Sequence, residues 1–207
     1  MKKLLFSLIV FFITVSGIFA QSIDEIYESG RKAFYEDKFD EANNYFMKIL
    51  KLDSDNFTNC YFKGLVYEIN FDYDNAIKEF TQALEFDDEC GECYKARGRI
   101  HEKMENYDKA MSDYVKSLEF NESDSETYFK LASICQDQKQ FKNAIKYYTK
   151  EIKLKPDDDI AFYNRGLCYE ELSEYKKAAA DFERAIAIDN IWEKTLRPVI
   201  EGLNNNK

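Results

Sequence analysis

Histidine occurs once, at position 101, and proline twice, at 156 and 198. A single histidine argues against a His-rich metal site and against a Ser–His nucleophile pair. No glycine-rich phosphate loop, H-E-x-x-H or G-x-S-x-G is present, which removes the common nucleotide, zinc-protease and hydrolase signatures. The D-x-D-x-D-G spacing of a calcium loop is also missing. Positive charge is in deficit, with 29 Lys and Arg against 39 Asp and Glu, a net charge of −10 and a pI near 4.8. Such a chain has little with which to neutralise phosphates, so nucleic acid and anionic lipid are poor partners for it. No linker or low-complexity tract divides the sequence, which predicts one domain. Seven glycines and two prolines beside 45% apolar residues suit long, uninterrupted helices.

What is present is a repeat. The stretch Ala161 to Asn190 reads as two amphipathic helices joined by a tight turn. Phe162, Arg165, Gly166 and Tyr169 share one face of the first, and Ala178, Phe182, Ala185 and Ile186 one face of the second. A shift of 34 residues finds the same types again without insertion. A small residue stands at Gly30, Gly64, Gly98, Ala132 and Gly166. An aromatic precedes the second helix at Phe39, Tyr73, Tyr107, Phe141 and Tyr175. Alanine follows at Ala42, Ala76, Ala110, Ala144 and Ala178, then an aromatic at Phe46, Phe80, Tyr114, Tyr148 and Phe182. The small residues allow close helix crossing, and the aromatics fill the space left over.

These positions resemble the tetratricopeptide repeat, a 34-residue helix–turn–helix unit. The resemblance runs from Ile23 to Trp192 and implies an all-α fold, a right-handed α-solenoid of five repeats over 23–56, 57–90, 91–124, 125–158 and 159–192. The family's proline near the end of each unit appears once, as Pro156. Residues 191–207 read as a capping helix and tail. Trp192, Leu196, Val199 or Ile200, and Leu203 would form its apolar stripe, with a kink or restart expected at Pro198.

The N-terminus has a different character. Lys2 and Lys3 precede an uncharged apolar run from Leu4 to Ala20, and the chain then turns polar at Gln21. This is the form of a secretory signal peptide over 1–20, cleaved near Ala20–Gln21, with an uncleaved membrane anchor as the alternative. Removal of Lys2 and Lys3 takes the net charge from −10 to −12. The expected location is exported, in a bacterial periplasm or cell envelope.

Five cysteines follow. Cys60, Cys135 and Cys168 fall on first helices and read as small apolar residues. Cys90 and Cys93 form C-G-E-C at the junction of units two and three. Their spacing at a helix start permits a disulfide in an exported protein; two unrelated thiols, or a different partner for Cys93, fit the sequence as well. The acidic clusters Asp87–Asp88–Glu89 and Asp157–Asp158–Asp159 lie in inter-unit turns and are expected to be solvated or to cap helices. His101 stands where other units carry Tyr67 and Tyr169, and reads as a packed residue.

In the family the first helices line a concave groove that holds a peptide. The register maps that groove onto Tyr27, Arg31 and Phe34, then Tyr61, Leu65 and Glu68, then Lys95, Arg99 and Glu102. The last two units add Phe129, Ser133 and Gln136, then Tyr163, Leu167 and Glu170. This is a row of aromatics with a basic middle from Arg31, Lys95 and Arg99, suited to a partner segment with apolar anchors and some acidic character. The carboxylate clamp of some family members needs Lys or Asn, Asn, and Lys or Arg on three successive first helices. Tyr27 and Arg31, Phe62, and Glu92 and Ala96 stand there instead. The expected function is a non-enzymatic, cofactor-free and metal-free scaffold that binds another protein or peptide, neither nucleic acid nor a small substrate. Self-association, a thiol–disulfide role for Cys90 and Cys93, and a membrane-anchored accessory subunit are the alternatives.

Overall fold

The computed structural model describes residues 23, 25–52 and 56–205. The expected signal over 1–20 and its cleavage point lie outside them. Every regular element among the described residues is helical. The chain divides into two compact units at Met104 and Glu105. The first holds α1 (residues 25–35), α2 (Phe39–Leu52), α3 (Asn56–Ile69), α4 (Tyr73–Phe86) and α5 (Gly91–Lys103). The second holds α6 (Tyr107–Phe120), α7 (Ser125–Asp137), α8 (Phe141–Leu154), α9 (Asp159–Glu171), α10 (Tyr175–Ile188), a 3₁₀ turn (Asn190–Trp192) and α11 (Glu193–Asn205). The 34-residue register places α5 and α6 in one repeat, and the division falls between them.

Helices pack with their sequence neighbours: α3 on α4, α7 on α8, α9 on α10, and each pair on the next helix of its unit. The repeated residues explain the closeness. A Cβ on Gly30 would stand 2.6 Å from the Phe46 ring, and one on Gly64 2.7 Å from Phe80. Ala42, Ala76, Ala110, Ala144 and Ala178 are all fully buried, so nothing larger than a methyl fits where the second helices meet their neighbours. The repeated aromatic of α2, α4, α6, α8 and α10 is its helix's first residue rather than the one before it.

The helix ends have their own chemistry. Asp72, Asp124 and Asp158 accept the backbone N–H of Asn75, Thr127 and Ala161 at the starts of α4, α7 and α9. Within repeats the turn carries a left-handed residue at Asp37, Phe71, Glu105, Lys139 and Ser173, again 34 apart and none of them glycine. The chain continues through Pro198 as a single helix, α11, where a kink or restart was the expectation. Pro198 lies only five residues beyond the start of α11, so its missing N–H costs one early hydrogen bond. Leu196, Ile200 and Leu203 are buried against Phe162, Ala178 and Phe182 of the second unit, with Trp192 partly buried beside them, while Val199 faces outward.

Candidate partner-binding site

Three first helices, α1, α3 and α5, carry one side of the first unit. They surround a recess lined by Tyr27, Arg31, Phe34, Tyr35, Tyr61, Leu65, Glu92, Ala96 and Arg99, with Phe46 of α2 also in its wall. Its volume, the open mouth included, is ≈ 340 Å³.

Aromatic contacts fix its wall. The hydroxyls of Tyr27 and Tyr61, one repeat apart, share a hydrogen bond of 3.2 Å. Tyr27 also meets the edge of Phe62, with centroids 5.6 Å apart. Burial raises the Tyr61 hydroxyl well above the ordinary tyrosine range, with Tyr27 adding to it, so this phenol stays neutral. Phe34 receives the Arg99 guanidinium over its face at 5.0 Å.

The charges divide into two kinds. Arg99 is the structural one. Its Nε and Nη2 donate to the two carboxylate oxygens of Glu68 at 2.8 and 2.7 Å, and Lys103 reaches the same carboxylate at 3.3 Å. Burial alone would lower the Arg99 pKa, but the hydrogen bonds and charge of Glu68 more than offset it and the net shift is upward. Arg31 is the accessible one: its side chain is half exposed and touches Glu28 at 2.8 Å on the surface. Two cations and one exposed carboxylate, Glu92, thus face an aromatic wall in an otherwise acidic chain.

The structure brings Tyr27, Arg31, Phe34, Tyr61, Leu65 and Arg99 together at this recess. Lys95 is buried in α5 and is not among its lining residues, and Arg99 is neutralised by Glu68, so the accessible cation of the recess is Arg31. Four lining residues, Tyr35, Phe46, Glu92 and Ala96, lie outside the sequence mapping. Tyr35, half exposed, follows Phe34 at the end of α1, and Glu92 stands one turn before Lys95.

In the second unit the mapped positions are engaged in packing. Phe129 meets the edge of the buried Tyr148 ring at 5.6 Å, the Tyr148 hydroxyl donates to Gln136 Oε1 at 2.8 Å, and Ser133 is half-buried. Tyr163 stacks on Trp192 with centroids 4.5 Å apart, and the Trp192 Nε1 donates to Asp159 at 2.6 Å. Leu167 is half-buried against the core beneath α11. His101 is buried in α5, as a packed residue would be.

The sulfur atoms of Cys90 and Cys93 are joined in a disulfide across the first turn of α5, with Cα atoms 5.3 Å apart. Cys60, Cys135 and Cys168 are free and buried. Burial pushes the Cys168 thiol up to about 12, aided by Glu171, so it stays protonated.

Stacked helical hairpins with tyrosine-lined first helices define a helical-repeat scaffold. Tetratricopeptide-repeat models match residues 57–90, 92–124, 125–158 and 160–190, more than half of the chain. The chain belongs to the tetratricopeptide repeat family. Solved structures repeat the fold. A crystal structure of MamA superposes with a TM-score of 0.65 at 24% identity, over 80% of this chain and 96% of that one. A second MamA structure gives 0.63 at 22%, over 85% and 96%. YrrB, described as a TPR protein with an unusual peptide-binding site, gives 0.60 at 24%, over 83% and 92%. At these identities the likeness is one of fold. No curated protein matches the sequence.

Proposed function

We propose that this chain is a non-enzymatic scaffold that takes a segment of another protein into the recess of its first unit. The observation that carries the reading is the recess itself. Tyr27, Phe34, Tyr35 and Tyr61 offer aromatic surface at little entropic cost, and Arg31 offers an accessible cation beside them. An apolar anchor with a carboxylate nearby is the matching segment. The repeat family is one of interaction scaffolds, and the description of YrrB as a peptide binder supports the same use of this fold. The setting we infer is a cell-envelope assembly after export. The basic and apolar residues 2–20 support export, and so does the Cys90–Cys93 disulfide, since such bonds persist in oxidising compartments.

The test is affinity capture from a native envelope fraction. The tagged chain is compared with an Arg31→Glu, Tyr35→Ala variant, which alters exposed side chains and leaves the Arg99–Glu68 fork whole. The expected result is a protein held by the parent and lost by the variant, with both giving the same circular dichroism. A protein held equally by both places binding away from the recess and refutes this reading.

A further inference from the structure

The C-G-E-C pair takes no part in holding a partner in the recess, yet its placement is specific. Cys90 is the N-cap of α5, a helix of 13 residues, and its Sγ accepts the backbone N–H of Cys93 at 3.1 Å. Cys90 is partly exposed, whereas Cys93 is completely buried in a cluster with Cys60, Ala83 and Leu84. The bond is therefore approached from the Cys90 side and not from the Cys93 side. Glu92, one of the two residues between them, and Ala96, one turn on, line the recess.

The bond also does little to hold the fold. It closes a ring of four residues, and short rings remove the least entropy from the unfolded chain. The first turn of α5 is fixed without it. Cys93 and Tyr94 both donate to the Cys90 carbonyl, at 3.1 and 3.2 Å, and Cys90 donates to Asp87. None of these hydrogen bonds runs through the sulfur atoms.

We propose that Cys90–Cys93 is a disulfide active in thiol exchange, and that its co-reactant is a dithiol on a protein partner. A partner thiolate attacks the Cys90 Sγ. The S–S bond breaks, its electron pair passes to the Cys93 sulfur, and that sulfur takes up a proton. The partner's second thiolate then attacks its own sulfur in the mixed disulfide and releases Cys90 as a thiolate onto the Cys93 N–H, at the positive end of α5. Two electrons pass from the partner dithiol, which becomes a disulfide, to the cysteine pair; the partner's thiol protons go to solvent, and Cys93 takes one proton back while Cys90 leaves as the thiolate.

Two features select a dithiol over a small monothiol. Cys93 lies three residues away and reverses any mixed disulfide that lacks a second thiol. Asp87, Asp88, Glu89 and Glu92 surround Cys90 with carboxylates in the sequence, and these repel an anionic thiol such as glutathione.

The test uses the full oxidised chain, treated with dithiothreitol, 2-mercaptoethanol or glutathione at equal thiolate concentration, then alkylated and weighed. Dithiothreitol is expected to open the bond while the far-ultraviolet circular dichroism stays unchanged, and Cys90 to alkylate at least tenfold faster than Cys93. Neutral 2-mercaptoethanol is expected to leave mostly mixed disulfide or starting material. Glutathione is expected to react about tenfold more slowly still, with added salt closing that gap. Opening only on loss of the helical signal makes the bond a staple and overturns the proposal. So does equal alkylation of the two sulfurs, or complete reduction by either monothiol.

Discussion

Arg99 holds Glu68 in a fork of 2.8 and 2.7 Å that ties α5 to α3. The Glu68 side chain has no exposed surface, so its charge is stable there only while cations surround it. Arg99→Ala is expected to destabilise the chain by about 3 kcal/mol, with Lys103 retaining part of the stabilisation. Arg99→Ala with Glu68→Ala removes the stranded charge, and the double variant should lose less than the single one. Urea midpoints for both decide the matter; a single variant no weaker than the double would show that Glu68 is not held by Arg99.

Gly166 in α9 is a steric requirement. A Cβ there would stand 2.6 Å from Cε1 of Phe182, a ring with no exposed surface and no room to retreat. Gly166→Ala should therefore cost about 1–3 kcal/mol despite alanine's better helix propensity. Gly202 in α11 has nothing within 4 Å of the same added atom, so Gly202→Ala should stabilise by a few tenths to about 1 kcal/mol. Thermal melts of the two variants should move in opposite directions.

Such contacts are legible in the sequence because steric fit repeats with the chain. Gly30, Gly64 and Gly166 face Phe46, Phe80 and Phe182 at a constant offset of 16, and a constant offset survives in sequence. Tyr27, Arg31 and Phe34 fall on one helical face for the same reason. Pairings that depend on how high one helix stands against the next were not legible. Glu68 and Arg99 are 31 apart, off the register by about one turn, and the fork that neutralises Arg99 has no trace in the 34-residue period. Tyr163 stacks on Trp192, which lies at the edge of the repeat array, where periodicity no longer constrains neighbours. The disulfide was legible as a possibility from its spacing, while the unequal burial of its two cysteines was not.

The turns show a further limit of residue type as a guide. Left-handed backbone normally calls for glycine or asparagine, yet Lys139 has φ 58° and Phe71 φ 59°. Their turns are set by the hydrogen bonds that end the helix, as when Lys139 donates to Gln136 and Gln140 to Cys135. Lys139→Gly removes the Cβ clash of the left-handed region and should stabilise the chain by about 0.5–1 kcal/mol, despite the greater entropy of the unfolded chain. Chemical denaturation is the check, and a destabilised variant would show that the Lys139 side chain holds its turn by contacts of its own.

Glu151 gives the chain a pH dependence of definite sign. It is buried in α8, and its Oε2 has no hydrogen-bond partner. Desolvation raises its pKa from 4.5 to about 8, with the neighbouring Asp158 adding to the rise and Lys155 opposing it. The folded chain then binds a proton that the unfolded chain lacks between those two values. Stability from this group is complete below about 4.5 and is lost as pH rises through about 8. The melting temperature of the parent should fall by about a few °C from pH 5 to pH 8.5, relative to a Glu151→Gln variant that keeps the shape without the charge. Asp158 caps α9 through Ala161 at 3.0 Å, so it belongs to the same junction and must stay unaltered in the comparison. The difference between the two melting profiles isolates Glu151 from every other carboxylate that titrates in this range. Parallel profiles would mean that Glu151 remains charged when folded.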